Sequence, residues 1–184
     1  LSSSSAASDV YKRQVDYRLA PENPYPAALN DFDAVFDWVE SNYEELGIDP
    51  KRISVGGDSA GGNLSAAISI RRQAENKTLP KAQLLIYPVT DLTFSFESIE
   101  ELAKGFLLSK ENMYWFREQY LEDHNTVKDP LISPLFSEDL SGQPSAVVVT
   151  AGFDVLRDEG DAYADLLKKF NVETYHHSLS LIHI

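Results

Sequence analysis

The fold is decided by the stretch RISVGGDSAGGN at residues 52–63. Its first four residues, RISV, are rich in β-branched side chains and predict a short buried strand. The small, apolar run LSAAISI at residues 64–70 follows it and predicts a buried helix. Between them lies Gly57–Gly61, a G-x-S-x-G pentapeptide with Ser59 at its centre. Strand, tight turn and helix form the setting that exposes such a serine as a nucleophile.

The turn accounts for the residue types around Ser59. We expect Ser59 to adopt a strained backbone conformation at the carboxyl edge of the sheet, with glycines on both sides letting the neighbouring chain pass. The helix start directs free backbone N–H groups at the space above the serine, and the N–H of Ala60 is the expected oxyanion donor. A glycine-rich turn with an incidental serine is the alternative that the pentapeptide alone leaves open.

Length and composition indicate one globular domain. The chain has 184 residues, 43% of them hydrophobic, which is enough for a core. A net charge of −13 disfavours nucleic acid and anionic membrane surfaces as partners. The absence of cysteine excludes disulfides and thiolate metal sites. No apolar stretch reaches the roughly 18 residues of a transmembrane segment.

Predicted strands and helices alternate along the chain. The strands fall at residues 14–17, 52–55, 82–87, 145–150 and 172–176, and the helices at 27–46 (closed by Gly47), 62–74 and after Asp158, which we interpret as an N-cap. This alternation predicts an α/β fold with a mostly parallel sheet and helices on both faces.

Residues 92–136 depart from the alternation. A helix is predicted from Lys110 to Leu121, with Ser109 as its N-cap. We interpret the segment as a small helical lid insertion. Its aromatic side chains either belong to the core or line a substrate pocket.

The two ends do not match the rest of the chain. Residues 1–13 contain a serine–alanine run without the basic start and apolar middle of a signal peptide, and residues 178–184 read SLSLIHI. Both resemble translated sequencing adapters, so we interpret them as non-native tails that make few apolar contacts. Residues 14–177 would then be a partial domain, truncated at both ends. A natural flexible terminus is the alternative.

Two residues at predicted strand ends carry the chemistry. Reactive groups of an open parallel sheet collect at the carboxyl ends of its strands, where Ser59 and Asp154 both lie. Their order is the Ser…Asp/Glu…His order of α/β-hydrolases. Asp154 could instead be a simple loop carboxylate. Asp158 could replace it as the acid, but it lies further from the strand end and suits a helix cap better.

Several motifs together resemble a known family, the hormone-sensitive-lipase-like esterases of the α/β-hydrolase fold. They are YRLAPE at 17–22, GGDSAGGN at 56–63, YP at 87–88, SPL at 133–135 and DVLRDEG at 154–160. The resemblance covers about residues 15–177. It implies that Ser59 is the nucleophile, that Asp154 orients a catalytic histidine, and that small carboxylic esters of short to medium acyl chain are cleaved through an acyl-enzyme. It implies no metal and no cofactor.

Two departures from the family pattern concern activity. The family's H-G-G-G stretch, which supplies oxyanion donors upstream of YRLAPE, is absent from this sequence. The catalytic histidine should stand in an H-G-F context after one more strand. His183 is near the expected distance but lacks that context, His176 and His177 come too early, and His124 lies in the lid segment. Because Ser59 keeps its proton without a base, we expect this chain to be an inactive fragment.

Two other functions fit the same fold. One is a non-catalytic binding protein, similar to the plant hormone receptors that resemble these esterases, in which the histidine is replaced. The other is a peptidase. A full-length gene with H-G-G-G upstream and H-G-F downstream would indicate an enzyme. The oligomeric state stays open, and the full-length parent could form a homo-oligomer.

Overall fold

The structure, a computed structural model, describes residues 2–5 and 11–180, with side chains from residue 12 onward. The strands are β1 (Ser2–Ser5), β2 (Tyr11–Gln14), β3 (Val55–Asp58), β4 (Ala82–Ile86), β5 (Ser145–Ala151) and β6 (Thr174–Leu179). The helices are α1 (Ala27–Ser41), α2 (Tyr43–Leu46), α3 (Ala60–Ala74), α4 (Ser98–Glu101), α5 (Lys110–Tyr120) and α6 (Arg157–Lys169).

Four strands form a parallel sheet in the order β3-β4-β5-β6. In one row across the sheet, Gly57 pairs with Leu85, Leu85 with Val148, and Val148 with His176. Since all four strands run in the same direction, their carboxyl ends lie at one edge. The predicted α/β class and parallel sheet are confirmed.

The core lies between this sheet and three helices. Leu85 and Val148 pack with Ala66 of α3 and with Tyr163 and Leu167 of α6. A second cluster joins α1 to α3 and β3, through Leu29, Phe36, Val55, Leu64 and Ile68. Both clusters lie on the same face of the sheet, so α1, α3 and α6 together cover that face.

The opposite face of the sheet is not covered by helices in the described part of the chain, whereas helices were predicted on both faces. Leu84 of β4 is 42% exposed and stands in one row with Val147 and the exposed Tyr175. Among the described residues no helix packs on this face, so helices cover one side rather than both. Burial alternates along β4, with Gln83 and Leu85 buried and Leu84 exposed.

Local boundaries near Ser59 also differ. The strand before it is Val55–Asp58 and not residues 52–55, because Pro50–Arg52 form a 3₁₀ turn capped by the Asp49 side chain. The predicted helix over 27–46 is interrupted at Asn42, whose side-chain amide donates to the carbonyl of Trp38 at 2.7 Å. Such local bonds compete with helix continuation. Gly47 ends α2 at a φ of +64°, as its predicted helix-terminating role requires.

The predicted strand over 14–17 is not formed. Gln14 ends β2, which pairs antiparallel with β1, and no described strand pairs with residues 15–17. A strand needs a neighbouring backbone to complete its hydrogen bonds. The chain instead turns toward α1, where the Arg18 guanidinium donates to the Asp31 carboxylate at 2.8 Å.

The last strand also differs from the prediction at both of its ends. The last strand begins at Thr174 rather than at residue 172, and it continues through Ser178 and Leu179, which pair with Thr150 and Ala151. The strand thus passes the predicted boundary at residue 177 by two residues. Residues 1, 6–10 and 181–184 lie outside the described residues, and the non-native origin of both ends stays a prediction.

The lid segment contains the predicted helix. The Ser109 side chain accepts a hydrogen bond from the backbone N–H of Asn112, and the Asn112 side chain bonds back to Ser109, which confirms the N-cap. Ile99, Met113 and Ile132 from this segment pack with Val155 and Leu156, just beyond β5. The segment therefore lies at the carboxyl edge of the sheet.

Candidate active site

Ser59 occupies the turn between β3 and α3. Its φ of 52° and ψ of −115° place an L-residue in a strained region, which confirms the predicted turn. Its backbone N–H donates to Ile86 at 2.9 Å, and its carbonyl accepts from Asn63 at 3.0 Å. The last bond of the β3–β4 ladder and the first bond of α3 thus hold Ser59 from both sides.

The glycines around Ser59 differ in how much space a side chain would have at each position. A Cβ on Gly57 would lie 2.5 Å from the carbonyl carbon of Gly61, which no structure tolerates. A Cβ on Gly62 would lie 2.9 Å from Pro88, the residue shortly after β4. A Cβ on Gly61 would meet nothing within 4 Å among the described residues. The close approach predicted for glycines on both sides of Ser59 therefore involves Gly57 and Gly62.

Ala60 is the first residue of α3. Its N–H has no acceptor within the helix, as for every first-turn residue. Ser59 and Ala60 both line a cavity of about 440 Å³. The N–H of Ala60 is therefore free to serve a ligand beside Ser59.

Asp154 follows the end of β5 and shares a second cavity, of about 310 Å³, with Ser59. Tyr87, Leu108 and Phe153 also line it. Asp154 Oδ1 accepts the backbone N–H of Leu156 at 3.0 Å. Burial raises the pKa of the Asp154 carboxyl, and this hydrogen bond offsets part of the rise. The structure therefore brings the two predicted residues to one cavity.

Asp158, the alternative acid, is engaged elsewhere. Its carboxylate accepts from Arg157 Nε at 2.7 Å and from the backbone N–H of Ser98 at 2.9 Å. Burial opposes ionisation, but these bonds hold its pKa below the usual value. It is not the N-cap of α6, which begins at Arg157 after Leu156. Asp158 instead ties the start of α6 to α4.

No described histidine lines the cavity that Ser59 shares with Asp154. His176 Nε2 lies 3.1 Å from Thr150 Oγ1 and 3.0 Å from Asp161 Oδ1. His124 lies 3.2 Å from Glu118, and His177 is exposed on β6. His183 lies outside the described residues. The described part of the site therefore holds a serine and a carboxylate without the base between them.

The larger cavity lies between the YRLAPE loop and α5. Its walls are mainly apolar and include Leu19, Leu64, Val89, Met113, Trp115 and Phe116. Ser59 and Leu108 line both cavities, so the serine stands where they meet. Three of the aromatic side chains predicted for the lid, Trp115, Phe116 and Tyr120, thus line a pocket. Met113 lines it too and is also part of the core.

Sequence reasoning assigned no role to three residues near Ser59. Tyr87 lines the smaller cavity at a φ of +34°, and its pKa is raised by burial and by the charges of Asp58 and Asp154. Asn63 and Glu159 are buried and hydrogen-bond distant backbone. Glu159 could have been singled out from the sequence as a charged residue in the first turn of a buried helix.

Comparison with known proteins defines the class. A family described as alpha/beta hydrolase fold matches residues 2–184, and the chain belongs to this family. Its resemblance to the hormone-sensitive-lipase-like esterases is confirmed by relatives and solved structures that are named as esterases.

Two curated relatives and one solved structure illustrate the similarity. The chain is 46% identical over 166 residues to the carboxylic ester hydrolase LipN of Mycobacterium tuberculosis, covering 87% of this chain and 44% of the relative. It is 42% identical over 161 residues to an arylesterase of Saccharolobus solfataricus, covering 87% and 52%. EstE1, a thermostable carboxylesterase from a metagenomic library, superposes with a TM-score of 0.87 at 43% identity, covering 90% and 57%. The chain spans about half the length of the curated relatives it matches.

Neither a membrane-spanning helix nor a cluster of metal ligands is found among the described residues. No helix among them has the length and apolar character needed to cross a membrane. No group of three or more potential metal ligands occurs within them.

Proposed function

We propose that this chain carries the nucleophile and the acid of a serine esterase. The observation that carries the proposal is that Ser59, strained at the start of α3, shares one cavity with Asp154. Ser59 Oγ attacks the ester carbonyl, the N–H of Ala60 stabilises the developing oxyanion, and Asp154 orients the histidine that accepts the serine proton. The alcohol leaves, and water then hydrolyses the acyl-enzyme.

The remaining catalytic groups would come from outside the described residues. The base must stand between Ser59 and Asp154, and no described histidine does so. Further oxyanion donors would join Ala60, and loss of one such donor typically costs about 10²–10³ in rate. We therefore expect the 184-residue chain alone to hydrolyse esters slowly or not at all.

The cavities support small esters as substrates. The larger one is apolar and about 440 Å³, within the range of small-molecule sites. An acyl chain of short to medium length would be buried there against Met113, Trp115 and Phe116 while its carbonyl lies at Ser59. Arg18, which also lines this cavity, forms an ion pair with Asp31 at 2.8 Å.

The test compares two polypeptides. One is the 184-residue chain, and the other is a longer protein that contains it together with H-G-G-G upstream and H-G-F downstream. Hydrolysis of p-nitrophenyl acetate and butyrate is measured beside labelling by a fluorophosphonate, with Ser59→Ala as the blank. We expect turnover and labelling in the longer protein only. Turnover by the 184-residue chain that Ser59→Ala abolishes would make one of its own histidines the base, with His183 examined first.

A matched pair of variants tests which carboxylate, Asp154 or Asp158, is the acid of the triad. In the longer protein, Asp154→Asn should lower kcat by about 10⁴, the loss typical of a triad whose acid cannot hold the histidine tautomer. Asp158→Asn should leave kcat within about tenfold, since its bonds to Arg157 and Ser98 are structural. The reverse ranking would reassign the acid to Asp158. Activity that survives Ser59→Ala would reject the proposed nucleophile.

A further inference from the structure

Residues 87–91, here called the strap, connect the two halves of the site. The strap follows β4, and its Pro88 lies between Gly62 of α3, the helix that follows Ser59, and Gly160 of α6, the helix that follows Asp154. Its first residue, Tyr87, lines the cavity that Ser59 and Asp154 share, and the Tyr87 N–H bonds to the carbonyl of Val149 on β5 at 2.6 Å. The position of the strap therefore bears directly on the site.

On the serine side, α3 holds the strap by backbone and side-chain contacts. The N–H of Val89 lies 3.4 Å from the carbonyl oxygen of Ser59. Asn63 Nδ2 donates to the carbonyls of Val89 and Ile132, each at 2.9 Å. Gly62 approaches Pro88 so closely that a Cβ there would lie 2.9 Å from the proline ring. These contacts hold the strap against the turn that contains Ser59.

On the acid side, Glu159 of α6 holds the strap. Its Oε1 accepts two adjacent backbone N–H groups, from Thr90 at 2.7 Å and from Asp91 at 3.1 Å. In return, Thr90 Oγ1 donates to the backbone carbonyl of Glu159 at 2.8 Å. Glu159 is 2% exposed, so water does not compete for these bonds.

We propose that Glu159 is a positioning residue that fixes Asp154 relative to Ser59 by bonding the first turn of α6 to the strap. The inference rests on the proposed function only in that it treats Ser59 and Asp154 as one site. Asp154 lies in the loop that leads into α6, five residues before Glu159, which lies in the first turn of that helix. Between them, the backbone N–H of Leu156 donates to Asp154 Oδ1. A shift of the strap against α6 would therefore separate the two groups.

The chemistry of the bond explains why an oxygen acceptor is required. The two strap N–H groups have one acceptor, Glu159 Oε1, and an apolar side chain would leave both buried without a partner. Burial raises the pKa of Glu159 well above its usual range, which favours the neutral carboxyl form. A glutamine, neutral and of the same shape, retains an oxygen in the same place.

The first experiment needs no catalytic activity. Backbone amide resonances and hydrogen exchange are measured by NMR on the 184-residue chain for Glu159→Leu and Glu159→Gln. Glu159→Leu should speed exchange at Thr90 and Asp91 by at least about tenfold and shift the amide resonances near Ser59 and Asp154. Glu159→Gln should restore both.

The matched control is Gln83→Leu. Gln83 is also buried on β4 and bonds the backbone carbonyl of Pro144 at 3.1 Å, but at the opposite end of the sheet. Gln83→Leu should leave the Ser59 and Asp154 resonances in place. If Glu159→Leu fails to fold, Thr90→Val, which removes only the Thr90 Oγ1 bond, should produce the same shifts in smaller size.

The outcomes separate this inference from the proposed function. The positioning role is overturned, whatever the activity, if the Ser59 and Asp154 resonances do not shift in Glu159→Leu. Thr90→Val takes its place if Glu159→Leu does not fold. Equal shifts in Gln83→Leu would overturn the role as well. In the longer protein, Glu159→Leu should lower kcat at least about tenfold with KM nearly unchanged, and Glu159→Gln should retain kcat. Loss of the esterase assignment through Ser59→Ala would leave the NMR result intact.

Discussion

The strained conformation of Ser59 depends on the residues packed around its turn. The serine is held at a φ of 52°, and strain of this kind costs about 1–3 kcal/mol that the surrounding structure must offset. The offset comes from the backbone bonds to Ile86 and Asn63 and from the close passage of Gly57 past Gly61. The turn is therefore sensitive to even a methyl group added at Gly57.

Gly57→Ala and Gly61→Ala test this sensitivity as a pair. The added methyl at Gly57 meets backbone at 2.5 Å, so we expect a loss of about 1–3 kcal/mol or more in the free energy of unfolding. The methyl at Gly61 meets nothing within 4 Å of it in the described structure, and alanine is favoured in a helix by up to about 1 kcal/mol. Urea denaturation measures both. Equal losses would show that the close approach does not govern the turn.

Glu159 predicts a pH dependence of stability. Burial, together with the charges of Asp91 and Asp154, raises its pKa above the usual 4.5 despite the two N–H bonds. Because the folded state binds this proton more tightly, the contribution is fully present below the unfolded pKa and is lost as pH rises through the folded pKa. The free energy of unfolding of the native chain relative to Glu159→Gln should therefore fall from pH 4.5 upward. A difference that stays flat or rises with pH would contradict the raised pKa.

The contact between α1 and α3 contains a buried cluster of charges. Arg72 of α3 is 1% exposed, and its guanidinium bonds Asp33 at 2.7 Å and Asp37 at 2.6 Å on α1, while stacking on Phe36 at 4.1 Å. Burial alone would raise the pKa of Asp33, but hydrogen bonds from Lys77 and Arg72 hold it below the usual value. These bonds fix α1 against α3, the helix that follows Ser59.

Arg72→Met should destabilise the protein by about 3–5 kcal/mol, since it removes a cation from the buried Asp33 carboxylate and leaves it with Lys77. The neighbouring Arg71→Met is the control. Arg71 bonds Glu75, just beyond α3, at 2.9 Å and Asn30 of α1 at 2.7 Å, and it lies 3.9 Å from Asp33. Because Arg71 is partly exposed, its loss should cost only about 1 kcal/mol. Guanidinium unfolding of both variants gives the comparison. Similar costs would mean that the buried cluster contributes no more than a surface ion pair.

The molecule as a whole has one covered and one open sheet face in its described part. Leu84, Val147 and Tyr175 form an apolar row on the open face. Contiguous apolar surface of this kind favours association with another surface. The strands β3 and β6 also present unpaired edges within the described sheet.

The 184-residue chain should therefore self-associate with increasing concentration, and Leu84→Lys should reduce this. Trp38→Lys on α1 is the control, because Trp38 is also 42% exposed but lies away from the sheet. Light scattering and sedimentation velocity measure the association. A native chain that stays monomeric at all concentrations, or equal effects of both substitutions, would reject the open face as the cause.

The sequence by itself determined the features that depend on residues close together in the chain. The turn at Ser59, the parallel alternation of strands and helices, the Ser109 cap and the end of α2 at Gly47 all follow from backbone preference and period. It also selected Asp154, because strand ends can be located from the apolar run that precedes them.

The tertiary structure alone decided what depends on distant partners. Residues 15–17 lack a strand because no described strand pairs with them. In the described part of the chain, helices cover one sheet face, whereas Leu84 and Tyr175 on the other face are exposed. The carboxylate of Asp158 accepts the backbone N–H of Ser98, and that of Glu159 accepts the backbone N–H of Thr90, 69 residues away in the chain. A carboxylate looks the same in a sequence wherever its partner is, and only packing places the groups that determine its burial, pKa and role.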